Sequence, residues 1–238
     1  MTREFSEDDV RIRPGRRSRP RSKERPDYTS ATGGLVVAVD RGRLTVDLGP
    51  GEPTLTAVRA RELGRRSVVV GDRVGLVGDL SGAEGSLARI VRLDPRSSAL
   101  RRTPDDSDPV ERIVVANADV LGIVVAAAEP EPRSGFIDRC LVAAYDAGLT
   151  PLLIVTKTDL ASAEPLAAAY SPLGIELIRT ARAQPVDDLA GRLTDHVTVL
   201  IGQSGVGKST LVNRLVPDAD RDTGHVNQVT GRGRHTST

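Results

Sequence analysis

Between Gly33 and about Leu93 apolar and polar residues alternate in short bursts: GLVVAVD, RLTVDL, TLTAVRA, DRVGLVGD and SLARIVRL. Asp-Arg-Gly, Gly-Pro-Gly and Ser-Gly-Ala-Glu-Gly turns break them up. A period of two places alternate side chains on opposite faces, so each burst predicts a strand with one face on a core. Five such strands in about sixty residues, with glycine at the corners, predict a small closed barrel of the OB type; an SH3-like barrel fits the same spacing. Nucleic-acid contact is the leading use of an OB barrel. Aromatic residues make up only 2% of the chain, which counts against base stacking as the mode of contact.

The period then changes. Residues 94–110, DPRSSALRRTPDDSDPV, are rich in proline, serine and charge. They divide a barrel over 31–96 from a second domain over 111–238, with a linker at 97–110. VLGIVVAAA is a continuous apolar run, as in a strand covered on both faces, and FIDRCLVAAYDAG follows with helical spacing. PLLIVTKTDL, IELIRTA and HVTVLIG read as further strands. They alternate with helices in EPLAAAYSPLG, PVDDLAGRL and KSTLVNRLV. This alternation predicts parallel βαβ units in a doubly wound sheet.

Charge changes the picture at one end only. The net charge is +1, yet residues 11–25, RIRPGRRSRPRSKER, carry seven Arg and one Lys against one Glu. So little apolar area predicts a disordered basic arm over 1–30, suited either to solubility or to phosphate-backbone contact. No run of about 18 apolar residues predicts a membrane helix, and the charged start is no secretory signal, so a cytoplasmic protein without a membrane partner is expected. The single cysteine, Cys140, lies on the apolar stripe of a predicted helix and reads as a buried structural thiol.

Gly202-Gln203-Ser204-Gly205-Val206-Gly207-Lys208-Ser209 matches G-x-x-x-x-G-K-[ST], between an apolar strand and a predicted helix that continues through Thr210. The chemistry needs these residues. Glycines let backbone N–H groups curl around phosphates, Lys208 reaches the terminal phosphates, and the Ser209 hydroxyl can ligate magnesium. Thr156-Lys157-Thr158-Asp159 follows another strand, at the sheet edge where open α/β folds bind ligands. A carboxylate at Asp159 can accept from N1–H and the exocyclic amino group of guanine, a donor pair that adenine lacks. The Lys157 stem can lie along the base. Thr180-Ala181 ends a third strand at that edge and can present a backbone N–H to the guanine carbonyl. Of only three lysines, Lys23, Lys157 and Lys208, two fall inside these motifs, where a guanidinium fork does not replace a flexible ammonium.

With GDRV in the barrel, TKTD before GQSGVGKST, and GRGRHTST at the end, the sequence resembles the RsgA/YjeQ family of circularly permuted GTPases, which act on the small ribosomal subunit. The resemblance implies an OB-like barrel followed by an α/β circularly permuted P-loop GTPase domain. It also implies GTP as substrate with magnesium, and as partners the small subunit and its rRNA, met by a monomer. It makes Thr236 or Thr238 the magnesium-sensing threonine and His235 a residue implicated in hydrolysis. Thr156 stands where Asn is more general and forgoes an amide contact to base or P-loop. The family's Asp-x-Pro-Gly motif and its zinc ligands do not occur in these 238 residues, so the sequence reads as a truncated form that stops before the last strands. Two rivals remain: an RNA-binding module whose nucleotide domain only binds, and an adenine-nucleotide P-loop enzyme.

Overall fold

The computed structural model describes residues 28–40, 42–63, 68–102 and 112–216. The barrel and the sheet described below belong to one compact unit, Ala31–Thr238.

Five strands form the barrel: β1 (Thr32–Asp40), β2 (Arg43–Asp47), β3 (Thr54–Arg59), β4 (Arg73–Gly78) and β5 (Ala88–Leu93). Their order is β1-β2-β3-β5-β4, closed by pairing of β4 with β1. After β3 the chain runs through a 3-10 turn at Arg61–Leu63 and then pairs on β1 before β5 returns beside β3. The β3–β5 pair is therefore parallel and the others antiparallel. This Greek-key closure decides for the OB arrangement over the SH3-like barrel that strand spacing also allowed. Inward positions recur with period two. Val36, Val46, Leu55, Leu76 and Ile90 are each at most 1% exposed, and burying each stabilises the barrel by about 1.5–3 kcal/mol.

Part of the stretch read as a linker is a strand. β6 (Ala99–Arg102) pairs antiparallel with β7 (Arg112–Ala116), a strand that the sequence pattern did not single out. Residues 103–111 between them lie outside the described residues.

Four parallel strands follow in the order β10-β9-β8-β11: β8 (Val120–Ala126), β9 (Thr150–Thr156), β10 (Glu176–Arg179) and β11 (Thr198–Ile201). Alternate residues of β8 supply two cores. Leu121, Ile123 and Val125 pack with Ile137, Cys140 and Ala144 of α1 (Ser134–Asp146) and with Tyr170 of α2 (Glu164–Tyr170). Val120, Val124 and Ala126 pack with Leu189 of α3 (Asp187–Leu193) and Leu211 of α4 (Lys208–Leu215). The chain steps outward from β8 to β9 to β10 over α1 and α2, then returns over α3 to place β11 on the other side of β8. Right-handed crossovers running in opposite directions put their helices on opposite faces, and the reversal opens a crevice at the carboxyl ends of β8 and β11. Cys140 is buried in the α1 core, as expected, and desolvation pushes its thiol up to about 11, which keeps it un-ionised at neutral pH.

At the amino-terminal edge of this sheet the barrel meets it through close backbone and polar contacts. Gly71 sits at φ +87°, and a Cβ there would lie 1.9 Å from the Ala116 carbonyl oxygen. Asn117, itself left-handed at φ 55°, donates through Nδ2 to the Gly71 carbonyl at 2.8 Å and accepts from the Ser97 N–H at 2.8 Å. Beside this junction and within the barrel, Asp72 is fully buried; it accepts two bonds from Arg96, at 2.7 and 2.8 Å, and one from the Val69 N–H at 2.8 Å. Among the described residues no helix is long and apolar enough to cross a membrane.

Candidate nucleotide-binding site

β11 ends at Ile201, and the next residue passes so close to β8 that a Cβ on Gly202 would lie 2.4 Å from the Val124 carbonyl oxygen. Only glycine lets the chain turn there. Val206, 2% exposed, anchors the loop in the core beneath it. Gly207 at φ +93° then caps α4. This strand–loop–helix passage aims the unpaired N–H groups of the first turn of α4, the positive end of its dipole, into the crevice. Lys208 opens the helix and donates through Nζ to the carbonyls of Gly202 and Gln203, each at 2.7 Å. Burial lowers its pKa below the ordinary lysine value. An ammonium held against neutral carbonyls at a helix N-terminus gains when an anion arrives. Gln203, Ser204 and Ser209 are half-buried around the same loop, Gly205 turns it at φ +77°, and Thr210 faces outward on α4.

The TKTD loop is tied to that phosphate loop. Thr156, 7% exposed at the end of β9, donates through its hydroxyl to the Val206 carbonyl at 2.6 Å, with the Val125 carbonyl at 3.2 Å. Where an Asn amide contact is forgone, a hydroxyl contact to the loop is made instead. The shorter side chain still reaches the loop because only β8 stands between β9 and β11. Lys157 is left-handed at φ 56° and donates to the Glu129 carbonyl. Desolvation lowers its pKa, opposed by the nearby Glu129 and Asp159 charges. A turn closed by Leu160 N–H donating to the Lys157 carbonyl at 2.9 Å carries Asp159 into solvent, where its carboxylate is open to a base.

Thr180 and Ala181, at the end of β10, are buried to 4% and 5% exposure. Thr158 donates to the Thr180 carbonyl through both its N–H, at 3.3 Å, and its hydroxyl, at 3.2 Å. The three loops predicted from sequence therefore come together at one sheet edge. Sequence reading missed Arg214 in the last turn of α4, whose guanidinium donates to the carbonyls of Ala181, at 3.0 Å, and Gln184. A basic residue late in a helix is ordinary, and nothing local marks this one. His235, Thr236 and Thr238 lie outside the described residues.

The chain matches known proteins. The family model described as RsgA GTPase matches residues 93–238. The chain is 37% identical over 214 residues to the small ribosomal subunit biogenesis GTPase RsgA of Pseudomonas syringae pv. syringae, covering 86% of this chain and 60% of that protein. It is 38% identical, with the same coverage, to the RsgA of Azotobacter vinelandii. It thus spans about 60% of the length of these curated relatives. Among solved structures, YjeQ from Thermotoga maritima superposes with a TM-score of 0.61 at 26% identity, covering 79% of this chain and 66% of that one. YloQ, described as a circularly permuted GTPase, gives a TM-score of 0.59 at 19% identity over 88% of this chain and 72% of its own, a likeness of fold. A TKTD loop that precedes the G-x-x-x-x-G-K-S loop, a barrel in front of both, and a family match over more than half the sequence lead to one conclusion: the chain belongs to the RsgA GTPase family.

Proposed function

We propose that this protein binds GTP with magnesium and hydrolyses it during late maturation of the small ribosomal subunit, acting as a cytoplasmic monomer. The observation that carries the reading is the hydrogen bond from the Thr156 hydroxyl to the Val206 carbonyl, which ties a guanine-reading motif to a phosphate loop in one crevice. In this reading Lys208 and the N–H groups opening α4 stabilise negative charge at the β and γ phosphates. Ser209, half-buried beside them, would hold magnesium, which when bound neutralises charge on the phosphate oxygens. Asp159 accepts from guanine N1–H and the amino group, the Lys157 stem lies along the base, and the Thr180-Ala181 backbone meets the base carbonyl. His235 orienting water and Thr236 sensing magnesium rest on the family resemblance. The barrel and the basic arm at residues 1–30 would contact rRNA phosphates.

The test is GTP turnover alone, with small subunits and with large subunits, at two salt concentrations and with ATP as competitor. Slow turnover alone is expected, with small subunits accelerating it less as salt rises and ATP failing to compete. Equal stimulation by large subunits would remove the small-subunit role. Displacement by ATP would return the site to the adenine-nucleotide class, and retention of GTP without turnover would leave a binding module.

A further inference from the structure

The contacts around the crevice close into a ring. The Val206 carbonyl accepts from Thr156; Thr158, two residues on, donates to the Thr180 carbonyl; the next residue, Ala181, accepts through its carbonyl from Arg214; and α4 runs from Arg214 back to Lys208 and the phosphate loop. Three of the four links belong to motifs already assigned. The fourth is Arg214, half-buried, and its two acceptors lie outside its own helix, on a loop thirty residues or more away in sequence.

We infer that Arg214 is a positioning residue for guanine recognition: it grips the Ala181 and Gln184 carbonyls so that the loop after β10 presents its backbone N–H to the base carbonyl. The inference rests on the guanine-nucleotide reading above. Its physical basis is the fork. A guanidinium donates in two fixed directions at once and so sets a loop's orientation as well as its distance, which a single ammonium cannot. Arg214 lies six residue steps along the helix from Lys208, about 9 Å of rigid rod. The base loop is therefore indexed to the same helix that carries the phosphate lysine.

The experiment compares affinities of the full chain for GDP and for 6-thioguanosine diphosphate. The analogue keeps both donors that Asp159 reads and replaces the base carbonyl oxygen with sulfur, a weak acceptor. The unaltered protein should prefer GDP. Arg214→Ala should reduce that preference about five- to tenfold, the effect of one mispositioned hydrogen bond, by weakening GDP while leaving the analogue unchanged. Arg214→Lys, able to reach one carbonyl, should fall between, and it carries the comparison if the alanine variant fails to fold. If both nucleotides weaken in parallel and the ratio holds, Arg214 merely supports α4 and the inference is overturned. If the unaltered protein binds neither nucleotide, the guanine-nucleotide reading fails first and takes this one with it.

Discussion

The two edges of the parallel sheet are built in opposite ways. At the amino-terminal edge, where the barrel joins, Asp72 is fully buried and its acceptor atoms are occupied by Arg96 and the Val69 N–H, while Gly71 and Asn117 interlock with no room for a Cβ. At the carboxyl edge Lys208 and Lys157 donate to loop carbonyls, and burial lowers the pKa of both, for Lys157 against the opposing charges of Glu129 and Asp159. One edge pairs opposite charges with each other. At the other the Lys208 ammonium lies against neutral carbonyl oxygens, an arrangement that gains when an anion arrives from solution. Buried charge thus serves cohesion where it is matched within the fold and binding where it is left to a ligand.

The largest effect is expected at the junction. Arg96→Ala strands the Asp72 carboxylate in a dry environment and should cost about 3–5 kcal/mol in urea unfolding, with GDP affinity of the folded protein unchanged. A loss under about 1 kcal/mol, or a parallel fall in affinity, would mean that the two edges are not separable in this way.

Lys208→Ala makes the converse demand. GTP affinity by calorimetry should fall about 100-fold or more, equivalent to about 2.7 kcal/mol, while apo stability moves by less than about 0.5 kcal/mol. Near-normal affinity would take the ammonium out of the phosphate site. A large stability loss would make the lysine a structural strut.

The smallest effect sharpens the boundary between the two roles, because Thr156 belongs to both. Thr156→Val removes the hydroxyl and leaves the Val206 carbonyl short of a donor, so stability should drop by about 1–2 kcal/mol and GTP affinity a fewfold, whereas Thr156→Ser should restore both. Failure of serine to rescue would assign the effect to lost packing rather than to the hydrogen bond.

Much of this molecule was legible in its sequence, and the reasons are local. Alternation in GLVVAVD or SLARIVRL sets which side chains face a barrel core, because the strand period is two whatever surrounds it. The unbroken apolar VLGIVVA already requires cover on both faces, and β8 has it. Gly202 through Ser209 could be recognised because a phosphate loop is made from consecutive residues, with backbone groups and one lysine. The tertiary structure decided what depends on residues distant in sequence. It chose the OB order through the parallel β3–β5 pair. It made β6 and β7 strands although a proline- and aspartate-rich stretch separates them, since each pairs with the other's backbone and the Ala116 N–H of β7 also donates to the Val70 carbonyl. It brought the Val206 carbonyl to 2.6 Å from the Thr156 hydroxyl. It also gave Arg214 a role that no helix-end rule would assign, because the two carbonyls it grips come near only after α3 has carried the chain back across the sheet. Periodicity and contiguous motifs are written in the chain, whereas contacts between segments exist only once the crossovers have chosen which strands are neighbours.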